Sequence, residues 1–76
     1  MEILFSEEFS EGNLKELFTV FRVNNNLYQA KSDMQVIVLW QVDSRWEGVC
    51  STSDASLIQT IGSSIDKFYS TGIQFT

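Results

Sequence analysis

The chain lacks several residue types on which whole classes of functional site depend. It has no histidine, which excludes Ser–His and Cys–His catalytic pairs and cysteine–histidine zinc sites. Its single cysteine, Cys50, cannot form an internal disulfide. The four glycines lie far apart and form no phosphate-binding loop. We therefore expect no enzymatic activity, no cofactor and no metal.

Basic residues and long apolar runs are also scarce. Five Lys and Arg stand against ten Asp and Glu, which gives a formal net charge of −5. Binding to nucleic-acid phosphates needs several basic groups on one face, whereas these five are scattered singly, so direct nucleic-acid binding is not expected. No stretch approaches the roughly 18 apolar residues of a membrane helix, and the N-terminus does not resemble a signal peptide. These features predict a cytoplasmic protein without a membrane partner.

What remains is typical of one small folded domain over residues 1–76. The composition is 43% hydrophobic, 13% aromatic and 20% charged, which is ordinary for a globular protein. A domain near this size buries only about 60% of its unfolded surface, and such domains often need a staple or oligomerisation. Without a disulfide or a zinc site, stability has to come from hydrophobic packing within one copy or between copies.

Alternating apolar residues and turn signals predict an antiparallel β-meander of four to five strands. One segment has two interpretations. Leu14, Leu17, Phe18 and Phe21 fit helical spacing, but the β-branched and aromatic residues of 17–23 favour a strand. The predicted strands are residues 2–9, 17–23, 27–31, 34–42 and 45–51.

A helix over residues 57–69 is predicted from one continuous apolar stripe. Ser53 or Asp54 suits its start, and Gly72 suits its end. Gly62 in the middle of the helix indicates a close approach of the helix to the sheet. The chain is therefore expected to be an α+β domain in which one C-terminal helix packs on one sheet face.

Strand 34–42 is apolar on both faces. Val36, Val38 and Trp40 point one way, while Ile37 and Leu39 point the other way. We expect the helix to cover the first face. The second face then needs another cover, either from a partner or from Ile3, Phe5 and Phe9 of the N-terminal segment or Ile73 and Phe75 of the tail.

Strand 34–42, with apolar side chains on both faces, is the basis of the functional hypotheses. The first is a small protein-interaction module that binds a protein partner or dimerises through an apolar sheet face. The alternative is an acidic inhibitor or nucleic-acid mimic that binds a basic partner through one negative N-terminal face. A small-ligand site between sheet and helix ranks last, because a chain of this size has little room for a cavity. The candidate interaction residues are Ile37, Leu39, Trp46 and Tyr28, together with Glu7, Glu8 and Glu11. Among them, Trp46 fits a buried core position as well as an exposed one.

Overall fold

The computed structural model describes residues 1–11, 13–49 and 55–73, which form a five-stranded sheet and one helix. The strands follow one another in the order β1-β2-β3-β4-β5, and every neighbouring pair is antiparallel. The predicted α+β fold class, a meander followed by one C-terminal helix on the sheet, is confirmed. The elements are β1 (Glu2–Glu11), β2 (Leu14–Arg22), β3 (Leu27–Lys31), β4 (Val36–Val42), β5 (Arg45–Val49) and α1 (Ala55–Ile73).

The segment with two interpretations is a strand, so the helical alternative is wrong. β2 pairs with β1 from Glu2↔Arg22 to Glu11↔Leu14, with one irregularity between Ile3 and Phe5. Alternation along β2 places Phe18 and Val20 on one face, where both are completely buried. A helix would have put the same two side chains on different sides of its surface.

The connections on either side of β4 have distinct structural causes, side-chain hydrogen bonds before the strand and positive backbone φ angles after it. The Glu16 carboxylate accepts hydrogen bonds from Ser32 Oγ and, at 3.1 Å, from Gln35 Nε2. These bonds hold the connection between β3 and β4, so β4 begins at Val36 rather than at residue 34. Between β4 and β5, Asp43 and Ser44 have φ values of 49° and 69°. Positive φ at both central residues is the conformation that matches the twist of a tight hairpin.

α1 packs on the sheet through the apolar stripe that predicted it. Leu57, Ile58, Ile61 and Ile65 are buried in the core. The helix begins at Ala55, directly after the predicted caps, and continues to Ile73, so Gly72 does not end it. The proposed helix caps Ser53 and Asp54 lie outside the described residues, as do Gly12, Cys50 and Phe75.

The helix covers the sheet face opposite to the one predicted. Ile37 and Leu39 are completely buried in the cluster that contains the α1 stripe, whereas Val36 is 43% exposed. The reason lies in the register, since Ile37 pairs with Ala30 and Leu39 pairs with Tyr28. Small and aromatic residues of β3 thus join Ile37 and Leu39 beneath the helix, and no second cover is needed on that face.

Candidate functional site

The sheet surface that points away from α1, which we call the open face, is the main apolar surface of the described molecule. Its central row crosses all five strands through the pairs Ile3↔Phe21, Phe21↔Gln29, Gln29↔Val38 and Val38↔Val49. Four of these five side chains are apolar. Further apolar members of the open face are Leu17, Leu27, Val36, Trp40 and Val42.

Several side chains of the open face are strongly exposed. Ile3, Leu17 and Val49 have exposed fractions of 65%, 62% and 64%. Trp40 and Val38, which lie on an inner strand, are half-buried by neighbours on the same face. An apolar surface that spans a whole sheet differs from scattered single apolar residues, because contiguous patches of this kind mark interaction sites.

Charged residues of both signs lie around this apolar surface. Lys31 pairs with Val36, Glu47 pairs with Trp40, and Arg45 lies 3.6 Å from Glu47 across an exposed ion pair. By strand alternation, the open face carries three basic residues against two acidic residues. Elsewhere among the described side chains, two basic residues stand against six acidic ones. The acidic character of the protein is therefore concentrated away from the open face.

Trp46, a predicted interaction residue, is instead held beneath the helix. It is 6% exposed, and its indole Nε1 donates a hydrogen bond to Asp66 Oδ2 at 3.1 Å. Its backbone oxygen accepts one from Gln59 Nε2 at 2.6 Å. Gln59 and Asp66 thus fix the helix to β5. The indoles of Trp46 and Trp40 lie on opposite faces of the sheet.

Tyr28 also lies in the core rather than on a surface. Its ring contacts that of Trp46 edge to face, with 5.4 Å between centroids. Burial raises the pKa of Tyr28 above its ordinary value of 10.0, and a hydrogen bond with Tyr69 acts in the same direction. The Tyr28 hydroxyl is therefore neutral at ordinary pH.

The N-terminal glutamates do not lie together on one face. Glu7 is on the helix side of β1, where its Oε2 accepts a hydrogen bond from Ser64 Oγ at 3.3 Å. Glu8 pairs with Leu17 on the open face. The side chain of Glu11 lies outside the part of the chain that the structure describes.

None of the four apolar candidates, Ile37, Leu39, Trp46 and Tyr28, contributes to the open face, since all are buried. From the sequence, Val36, Val38 and Trp40 of the open face were expected to lie beneath the helix. The other members of this face were not predicted as interaction residues. The signal that could have identified them lies in β3, where Gln29 and Lys31 share a face with Leu27. Because β3 and β4 form a hairpin, those polar residues pair with Val38 and Val36. Their presence indicates that this face of the sheet is the more solvent-exposed of the two.

Among the described residues, no group of three or more Cys, Asp or Glu side chains is placed to hold a metal ion. No helix in residues 55–73 is long and apolar enough to cross a membrane. No protein-family model, curated protein or solved structure matches this chain.

Proposed function

We propose that this protein is a non-enzymatic interaction module whose open face packs against the surface of a polypeptide. The observation that carries the proposal is the row of side chains across the face opposite to α1, which is apolar on four of the five strands. In the described part of the chain, α1 is the only element outside the sheet, and its contacts lie on the other face.

The energetic argument concerns the cost of leaving this face in water. Burial of one Val, Leu, Ile or Phe side chain contributes roughly 1.5–3 kcal/mol. A whole domain is stable by only about 5–15 kcal/mol. Ile3, Leu17 and Val49, which are strongly exposed on the open face, would together gain on the order of a few kcal/mol from a cover, a substantial fraction of that stability.

The alternative, an acidic inhibitor or nucleic-acid mimic, needs a single negative face formed by the N-terminal glutamates. Glu7 and Glu8 lie on opposite faces of β1. The open face itself has both signs of charge around an apolar centre. This arrangement favours an apolar protein contact over a purely electrostatic one.

Site-specific photocrosslinking in the cells that produce the protein tests the proposal. A benzophenone amino acid is placed at Val49, which is exposed on the open face, and at Ser63, which is exposed on α1, as the matched control. We expect a crosslinked product of defined mass from position 49 only. A second substitution, Val38→Glu, should abolish that product, because it puts a charge in the centre of the same face.

The proposal would be contradicted by three results. The first is the absence of a product from position 49. The second is a product that persists with Val38→Glu, and the third is an equal yield of the same product from position 63.

A further inference from the structure

We infer that the occupant of the open face is a second copy of this chain, bound face to face about a two-fold axis. The inference rests on the proposed function and adds the identity of the partner. Three observations carry it: the size of the open face, its charge pattern and the chemistry of its centre.

The size of the face suits a stable dimer. Five strands about 4.8 Å apart, with an average of about seven residues at about 3.3 Å each, give an outline of roughly 500 Å². The relief of the side chains raises the accessible area toward the roughly 800 Å² per partner that a standard stable interface buries.

The charge pattern favours the open face as the surface through which two copies approach. Six acidic residues against two basic ones elsewhere would repel an identical copy. On the open face the balance is three basic residues to two acidic ones, with Lys31 and Glu47 both beside the apolar centre. A surface with both signs can pair with itself, whereas a surface with one sign cannot.

The centre of the open face is also complementary to itself. A two-fold axis that lies between the two sheets, parallel to them and level with Gln29, brings the central row near its own copy, so Val38 and Phe21 meet apolar side chains. Gln29, the polar residue of that row, has an amide that both donates and accepts hydrogen bonds, and it can pair with the Gln29 of the second copy. Two sheets stacked in this way lie about 10 Å apart, with their strands rotated by roughly 30°.

Sedimentation equilibrium of the purified chain provides the first test. From about 5 µM to about 500 µM, the wild type should reach twice the mass of one chain. Val38→Glu should weaken dimerisation at least about 100-fold, because each dimer would bury two like charges near its axis. Ser63→Glu, which adds the same charge on the exposed side of α1, should leave the dimer intact. Val49→Glu, at a more exposed position of the face, repeats the test if Val38→Glu does not fold.

Fluorine NMR of protein labelled with 5-fluorotryptophan shows which surface is used. Trp40 lies on the open face and Trp46 beneath the helix, so the two labels report on opposite sides of the sheet. The Trp40 signal should shift as the protein concentration rises, while the Trp46 signal stays in place. The Trp40→Phe variant assigns the two signals.

The outcomes separate this inference from the proposed function. A wild type that stays monomeric over the whole range, or a dimer that survives both Val38→Glu and Val49→Glu, overturns the inference of a second copy. Photocrosslinking from position 49 to a different polypeptide would then keep the proposed function while giving the face another partner. Loss of the dimer in both variants, with a concentration-dependent shift of Trp40 alone, supports the inference.

Discussion

At the scale of single residues, the contact between Gly62 and Trp46 explains why a helix-breaking residue lies in the middle of α1. A Cβ atom at position 62 would lie 2.2 Å from Trp46 Cγ. The indole cannot swing away easily, because its Nε1 is hydrogen-bonded to Asp66, while Gln59 holds the Trp46 backbone oxygen. Glycine lets the backbone of α1 lie directly on the ring, as the sequence indicated.

Gly62→Ala should therefore destabilise the protein although alanine is the better helix former. The propensity gain of about 1 kcal/mol is outweighed by overpacking against the indole, which typically costs about 1–3 kcal/mol. Urea unfolding measures the difference. Ser63→Ala, at an exposed neighbouring position, is the control and should be neutral or slightly stabilising. An increase in stability with Gly62→Ala would show that the contact is loose.

Ionisation of Tyr28 should lower the stability of the folded protein at alkaline pH. The pKa of Tyr28 is raised in the folded state, first by burial and then by the hydrogen bond with Tyr69. The folded state thus holds this proton more tightly than the unfolded state does. The resulting stability is present below the unfolded pKa of about 10 and is lost as the pH rises through the higher folded pKa.

Urea unfolding of the wild type and of Tyr28→Phe between about pH 8 and pH 11 checks this expectation. The stability of the wild type should fall more steeply than that of the variant above about pH 10, since phenylalanine has no proton to lose. Parallel curves for the two proteins would mean that Tyr28 ionises equally well in the folded state.

At the scale of elements, the hairpin between β4 and β5 is the place where the sequence is not well suited to its conformation. Asp43 and Ser44 both have positive φ; aspartate suits the first position of such a turn, whereas glycine is the usual residue at the second, where Ser44 lies. Serine in this region is strained by up to about 1 kcal/mol relative to glycine.

Ser44→Gly should accordingly stabilise the protein by up to about 1 kcal/mol, read as a higher urea midpoint. Ser63→Gly, the same change on the exposed side of α1, should destabilise it by roughly 0.5–1 kcal/mol, because glycine weakens a helix. If both substitutions lower the midpoint, the turn does not favour glycine.

The sequence predicted which strands and which helix form better than it predicted the residues at which they begin and end. β3 has the predicted bounds, and the apolar stripe of α1 identified the helix, because long periodic patterns reflect burial directly. The turn before β4 combines local hydrogen bonds from the Met34 and Gln35 backbone N–H groups to Ser32 Oγ with bonds that the Glu16 carboxylate accepts from Ser32 and Gln35. The contacts with Glu16, which is distant in the chain, have no local signal in the sequence.

At the scale of the whole molecule, the central result is which face of the sheet α1 covers. β4 is apolar on both faces, so its own alternation could not decide between them. The neighbouring strands determine which face is covered, because the buried Val20 and Ala30 align with Ile37, whereas the polar Gln29 aligns with Val38. The open face was therefore expected from β4 as an uncovered apolar surface, but it was assigned to the wrong side.

Unfolding of the paired variants Ile37→Glu and Val38→Glu tests this account most directly, at a dilution where association does not contribute. The two residues are adjacent in β4, and the substitution is the same. Ile37→Glu should abolish the cooperative unfolding transition, because an unpaired carboxylate buried beneath α1 costs several kcal/mol, comparable with the stability of the domain. Val38→Glu should unfold cooperatively, with a loss below about 1.5 kcal/mol, because the carboxylate reaches water on the open face. Cooperative unfolding of Ile37→Glu together with collapse of Val38→Glu would contradict the account.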